Sequence, residues 1–335
     1  MARHYRIDLG RNSRISTEIT GYAVGAYCDF FRRSGEERHL QAAIRSGQFL
    51  LRAWDSQFGI YPFEWPTTET PAENRAFFFD CGIIARGLLQ LYRQTGKSEY
   101  LDGAAACGRS MWRHFERDGQ LMPILQLPSL EATPFGGSWS NNPGCYQLKP
   151  ALCWLDLAAL TGDQVFSSWY ETALQRAISN DDAFLPGTAE RPRIMDRLHA
   201  YCYFLEALLP VADREMCTSV LKNGIEKTAR YLREIAPTFA RSDVYAQLLR
   251  VRLFAAHSGA VALQEPEAEE EARAIPAFQY NSTEARLNGG FSFGIRDGEL
   301  TPYANPVSTA FCAQALALWD DYKNGHFRAS VGDLI

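Results

Sequence analysis

The stretch "LYRQTGKSEYLDGAAACGRSMW" (91–112) has an apolar run that ends in Thr95-Gly96 and restarts two residues later as a more charged one. Glycine just past a helix end supplies the left-handed position that stops the helix. A second helix so soon afterwards makes an αα-hairpin. "FFRRSGEERHLQAAIRSGQFLL" (30–51) and "LAALTGDQVFSSWYETALQRAI" (157–178) repeat the pattern around Gly35 and Gly162. Self-similarity of this kind marks a repeat architecture.

The connections back to the next hairpin match as well: "SQFGIYPF" (56–63), "RDGQLMPI" (117–124), "NDDAFLPG" (180–187) and "RDGELTPY" (296–303). Each sets apolar residues before a proline (Pro62, Pro123, Pro186, Pro302), which forbids continued helix. First helices are expected to begin near Glu18, Asp80, Asn141, Asp196, Asp243 and Ser308, spaced 62, 61, 55, 47 and 65 residues apart. The fourth unit lacks the glycine turn, and the sixth has one clear helix, "STAFCAQALALWDDY" (308–322).

First helices such as "GYAVGAYCDFF" (21–31) are apolar nearly all round, while second helices such as "CTSVLKNGIEKTARYLREI" (217–235) carry charge. The former pattern is buried and the latter half-solvated, so two concentric helical layers are expected, all-α, as one domain over 1–335. Strand signals are few. "GGFSFGIRDGELTPY" (289–303) places Asp297-Gly298 between short alternating runs and predicts a β-hairpin. "EPEAEEEAR" (265–273) reads as a solvated loop or helix face.

Composition narrows the function classes. The chain has 335 residues, 46% hydrophobic and 22% charged, with net charge −5. That is globular, and no basic stripe interleaved with aromatics offers a nucleic-acid surface. No apolar run suits a signal peptide or a membrane span, so neither membrane nor export is expected. Eight scattered cysteines, never as CxxC, read as small buried hydrophobes in a reducing cytoplasm. Closely spaced Cys/His pairs are missing, so no metal and no other cofactor is expected.

Glycine-turned hairpins, proline-bearing returns and Trp/Tyr in the loops together resemble the six-hairpin (α/α)6-toroid superfamily. That group includes unsaturated glucuronyl hydrolases, glucuronyl C5-epimerases, glycoside hydrolases and polysaccharide lyases. The resemblance spans roughly 15–325 and is one of architecture, with no catalytic motif to carry over. It disfavours some members. N-acylglucosamine 2-epimerase-like enzymes look for paired histidines, and only His199 stands near a first-helix entry. Class II terpenoid cyclases need a DxDD acid, and lanthionine-cyclase-like toroids need zinc ligands.

The resemblance implies a pocket where the long loops gather at first-helix N-termini. "FFFDCGIIARGLL" (77–89) puts Asp80 there. Asp80 either caps its helix, a role for which aspartate is well suited, or also does chemistry. Glu18, Asp196 and Asp243 take equivalent positions, and repeated caps explain all four as readily as a shared cavity does. Two carboxylates flanking a sugar linkage serve as acid and as base or nucleophile, and crowding raises the pKa of at least one. Asp196, His199 and Tyr203 share one helix face. There His199 shuttles protons with a pKa raised by the carboxylate, or is simply a buried histidine bonded to Asp196. Trp65, Trp139 and Tyr146 stack on sugar faces or close the core, with Glu64 beside Trp65. Asn141, Asn142 and Tyr22 are placed to bond hydroxyls.

The expected function is metal-independent carboxylate acid/base chemistry on an oligosaccharide or uronide. Hydrolysis leads, with epimerisation and elimination open. The rivals are a toroid that binds glycans or a protein without catalysis, and a terpenoid-type cyclase.

Overall fold

The computed structural model describes residues 1–66 and 75–335. Twelve α-helices among them carry the fold, with short strands at their junctions. The chain divides into two compact units, one holding Met1–Arg3, Ser13–Ser179 and Ile335, the other His4–Asn12 and Asn180–Leu334.

The first unit contains three hairpins: α1 (Thr17–Ser34) with α2 (Glu37–Ala53), α3 (Phe78–Thr95) with α4 (Ser98–Phe115), and α5 (Leu148–Thr161) with α6 (Gln164–Ser179). Gly35, Gly96 and Gly162 follow the first helices with φ of 68°, 69° and 74°, and each donates its N–H back to a carbonyl four residues earlier. Residues with a Cβ rarely adopt this conformation, which is why the Gly signal was readable. The first helix of each hairpin packs against the next, α1 on α3 and α3 on α5. Burial confirms the difference in character: 13 of 18 residues are buried in α3 against 7 of 18 in α4. At the α1–α3 crossing the backbones nearly touch. A Cβ on Gly87 would stand 2.5 Å from the Gly21 carbonyl oxygen, so only glycine allows that approach.

The second unit contains a short helix α7 (Asp181–Phe184), the hairpin α8 (Arg191–Leu208) with α9 (Glu215–Ile235), then α10 (Ser242–His257) with α11 (Glu265–Ala274), and finally α12 (Pro306–Lys323). Here α10 packs against both α8 and α12. The acidic run 265–273 is the second helix of its hairpin, and its face is not wholly solvated. Glu271 is buried and accepts hydrogen bonds from Arg252 Nε at 2.9 and 3.1 Å.

Small antiparallel sheets tie helix starts to return loops. In the first unit β3 (Ile15–Ser16) pairs with β4 (Glu64–Trp65), β5 (Arg75–Phe77) with β8 (Ile124–Gln126), and β6 (Glu116–Arg117) with β7 (Gln120–Leu121). In the second unit β9 (Phe239–Arg241) pairs with β10 (Gly294–Arg296), which pairs with β11 (Glu299–Leu300). There β1 (Tyr5–Arg6) lies between β2 (Arg11–Asn12) and β12 (Tyr303–Ala304). The hairpin expected near 290–303 is present, and Asp297-Gly298 turns it with φ of 51° and 83°, as a type I′ turn requires. Asp118-Gly119 makes the same turn in the first unit.

The pattern repeats at helix starts. The first N–H of α1 donates to Phe63 O, that of α3 to Pro123 O, and that of α10 to Phe293 O. Thr17 Oγ1 donates to Pro62 O at 2.6 Å and Ser242 Oγ to Ser292 O at 2.6 Å. N–H groups that the helix leaves without partners are thus met by the return loop.

Two helix starts differ from the sequence expectation. Asn141 ends a 3-10 turn (Trp139–Asn141), and α5 begins only at Leu148. Asp196 is the sixth residue of α8, which begins at Arg191 with proline in its first turn, a position proline favours.

Candidate active site

Asp80 is not a cap. Helix α3 starts at Phe78 after an extended Phe77, so Asp80 is its third residue, and no side chain caps this helix. Genuine caps occur elsewhere: Ser16 Oγ accepts from Ile19 N in α1, and Asn305 Oδ1 from Val307 N and Ser308 N in α12. Asp80 is instead buried, 3% exposed, and its Oδ2 has no hydrogen-bond partner among the described residues. Burial raises its pKa well above the ordinary carboxylate value, with Glu18 and Cys81 adding to the rise and Arg3 opposing it. Glu18, the second residue of α1, is half-buried and also raised by burial, again against Arg3. So the first unit brings Glu18, Asp80 and Arg3 together, as two carboxyls disposed to hold a proton beside one guanidinium.

Around them the aromatic rings stack. Phe63 and Phe77 lie 4.6 Å apart between centroids, and the Arg3 guanidinium sits 4.7 Å from the Phe63 centroid. Tyr22 is buried one turn beyond Glu18 on α1. Glu64, buried on β4, accepts from Arg14 Nη1 at 2.8 Å. Trp65 packs edge-on against Phe49 at 5.6 Å. Glu64 and Trp65 line a cavity of about 430 Å³ together with Arg52, Trp54, Phe58 and Pro128. Tyr146 and Trp139 pack on each other at 5.0 Å, and the Tyr146 hydroxyl donates to Asn142 O at 2.9 Å. The Asn142 side chain is engaged inside its own loop, donating to Ser138 O and accepting from Gly136 N.

In the second unit His199 meets partners other than those expected. Its Nδ1 lies 2.7 Å from Gln247 Oε1 and 3.4 Å from Asp243 Oδ2. Asp196 instead accepts from Arg241 Nη1 at 3.0 Å, while Arg241 clamps Asp243 through Nε at 2.9 Å and Nη2 at 2.7 Å. Tyr203 stands edge-on to His199 at 4.5 Å, as the shared helix face predicts. The expected rise in the His199 pKa does not occur. Burial outweighs Asp243, whose charge is shared with Arg241, and the imidazole falls to about 4. Burial would raise Asp243, but Arg241 and His199 hold it below the ordinary value. His199 is therefore neutral near pH 7. With a proton on Nδ1 for Gln247 to accept, Nε2 keeps its lone pair.

The remaining histidines stand elsewhere: His39 on α2, His114 on α4, His257 at the end of α10 against Phe327, His4 against Tyr303, and His326 beyond α12. Among the described residues no cluster of His, Cys, Asp and Glu could hold a metal ion. All eight cysteines are buried, and none forms a disulfide. No described helix is long and apolar enough to cross a membrane.

Sequence reasoning missed Arg3, Arg241 and Gln247. The signal for Arg241 was present, since "ARSDVYAQ" (240–247) puts a cation two residues before Asp243 and Gln247 one turn after it. Nothing in the sequence marks Arg3, whose placement depends on pairing between distant segments.

Three solved structures share this fold over nearly the whole chain. A sugar epimerase from a ruminal bacterium superposes with a TM-score of 0.72 at 11% identity, covering 95% of this chain and 92% of its own. Cellobiose 2-epimerase from Bacillus thermoamylovorans gives 0.70 at 12% identity, covering 94% and 92%. A D-mannose isomerase gives 0.70 at 9% identity, covering 95% and 91%. The fold is that of the (α/α)6-toroid proteins, as the hairpin pattern led one to expect. No protein-family model and no curated protein matches the sequence.

Proposed function

We propose that the protein is a carbohydrate-active enzyme working by side-chain acid/base chemistry, with hydrolysis of an oligosaccharide or uronide as the leading reaction. The observation that carries this reading is Asp80, a buried carboxyl with an unpartnered Oδ2 beside Glu18. A carboxyl whose neutral form is favoured by burial can serve as a general acid. It would give its proton to the glycosidic oxygen as the bond to the anomeric carbon breaks. Glu18, more accessible and less strongly raised than Asp80, would in its ionised form take a proton from the water that attacks the anomeric carbon, or bond to that carbon and be released by water in a second step. That several solved structures of like fold carry sugar-enzyme names supports a sugar as substrate.

A second reading, epimerisation or isomerisation of a reducing sugar, is favoured by His199. A neutral imidazole with Nδ1 fixed on Gln247 presents Nε2 as a base for a proton next to a carbonyl. The names of those solved structures favour this reaction too.

Incubation with a panel of glycosides, uronides and reducing sugars in D₂O separates the readings. Hydrolysis releases new reducing ends, whereas epimerisation or isomerisation through an enediolate places deuterium on the sugar carbon. The leading reading expects Asp80→Asn to lower hydrolysis by roughly 10²- to 10⁴-fold. Deuterium incorporation lost in His199→Gln but kept in Asp80→Asn would move the assignment to the second reading. Sugar binding without turnover would favour the non-catalytic toroid.

A further inference from the structure

Arg3 belongs to the first unit by backbone pairing: its N–H donates to Arg14 O at 2.9 Å, and Ala2 bridges to Ile15 just before α1. The guanidinium lies over Phe63. Phe63 in turn stands between two helix starts, its carbonyl accepting the first N–H of α1 and its ring packed on Phe77, the residue before α3. Glu18 and Asp80 are the second and third residues of those helices. Arg3 thus stands over Phe63, between the two helix starts, close enough to act electrostatically on both carboxyls.

The neighbouring cation, Arg14, is paired with Glu64 at 2.8 Å. The Arg3 guanidinium has no hydrogen bond or ion pair among the described residues, and its residue is exposed. Two carboxyls would ordinarily neutralise it. Here both are displaced toward the protonated form, and two helix N-termini add partial positive charge. A buried Asp80 with an unpartnered Oδ2 becomes a hydrogen-bond donor in that form.

We propose that Arg3 is the specificity-determining residue of this site and selects a sugar acid, a uronide, over a neutral sugar. This rests on the carbohydrate reading above and narrows it. A uronate carboxylate presents two coplanar oxygens to the guanidinium fork, the geometry of a bidentate charge-assisted pair. A neutral pyranose offers only hydroxyls, which make no charge-assisted pair with the guanidinium. The Phe63 ring holds the fork in place while leaving its N–H edges open.

Calorimetric titration of the full chain with D-glucuronate, D-glucose and acetate tests the assignment. Glucuronate is expected to bind at least about tenfold more tightly than glucose or acetate, the size of one charge-assisted pair. Arg3→Gln should lower glucuronate affinity to that of glucose, and Arg3→Lys should restore part of the preference. Glucose binding as well as glucuronate, or Arg3→Gln retaining the preference, overturns the proposal and leaves the carbohydrate reading standing. Acetate equal to glucuronate also overturns it, because the site would then hold any carboxylate. A glucuronate preference without turnover of any glycoside keeps the Arg3 assignment and removes the hydrolysis reading. If no sugar binds, both fall.

Discussion

His199 Nδ1 faces Gln247 Oε1 at 2.7 Å, one turn along α10 from Asp243. The amide oxygen accepts only, so Nδ1 carries the proton, and burial keeps the ring neutral with its pKa near 4. Imidazole resonances should then titrate with a midpoint near 4 for one histidine of six.

The same shift has a stability consequence with a definite sign. Between pH 4 and 6.5 the unfolded chain binds the His199 proton and the folded chain does not, so stability rises with pH across that window. His199→Gln should flatten this part of the profile. Urea midpoints measured from pH 4 to 7 for both proteins check it, and parallel profiles would mean that the folded imidazole is not shifted.

Asp80 predicts the opposite slope. Its pKa is raised above the ordinary 3.8, so the folded state holds a proton that the unfolded state releases. Stability is full below the ordinary value and is lost as pH rises toward the folded pKa. Asp80→Asn removes that loss, and its melting temperature should exceed the wild type's at pH 8 by more than at pH 4.

Arg250 and Glu206 form an ion pair with both side chains fully buried, and Arg250 Nη1 donates to Gln314 Oε1 at 3.0 Å. Arg250→Met leaves a buried carboxylate uncompensated and should cost roughly 3–5 kcal/mol. The double variant Arg250→Met/Glu206→Met should cost less than that single change. Chemical denaturation of the three proteins decides it.

Two glycine variants separate packing from turn geometry. Gly87→Ala forces a Cβ to 2.5 Å from Gly21 O and should cost about 1–3 kcal/mol. It should also impair turnover, because α1 and α3 carry Glu18 and Asp80. Gly96→Ala, at φ 69°, should cost about 1 kcal/mol and leave turnover unchanged. Equal effects on activity would break the link between that helix contact and the site.

What the sequence by itself determined is short-range. Glycine at Gly35, Gly96 and Gly162, proline in the returns and Asp-Gly at 297–298 act within a few bonds, so the hairpins and the small β-turn follow from local backbone preference. The shared face of His199 and Tyr203 follows from helical period alone. Tertiary structure decided what those residues meet. The start of α8 at Arg191 moved Asp196 into the helix and onto Arg241, leaving His199 to Gln247 and Asp243. Asp80 lies past the cap position beside Glu18, and Arg3 reaches them through strand pairing. Desolvation is set by everything packed around a group and not by its neighbours in the chain. It therefore took the folded protein to show His199 lowered, where its nearest acid in sequence argued for the reverse.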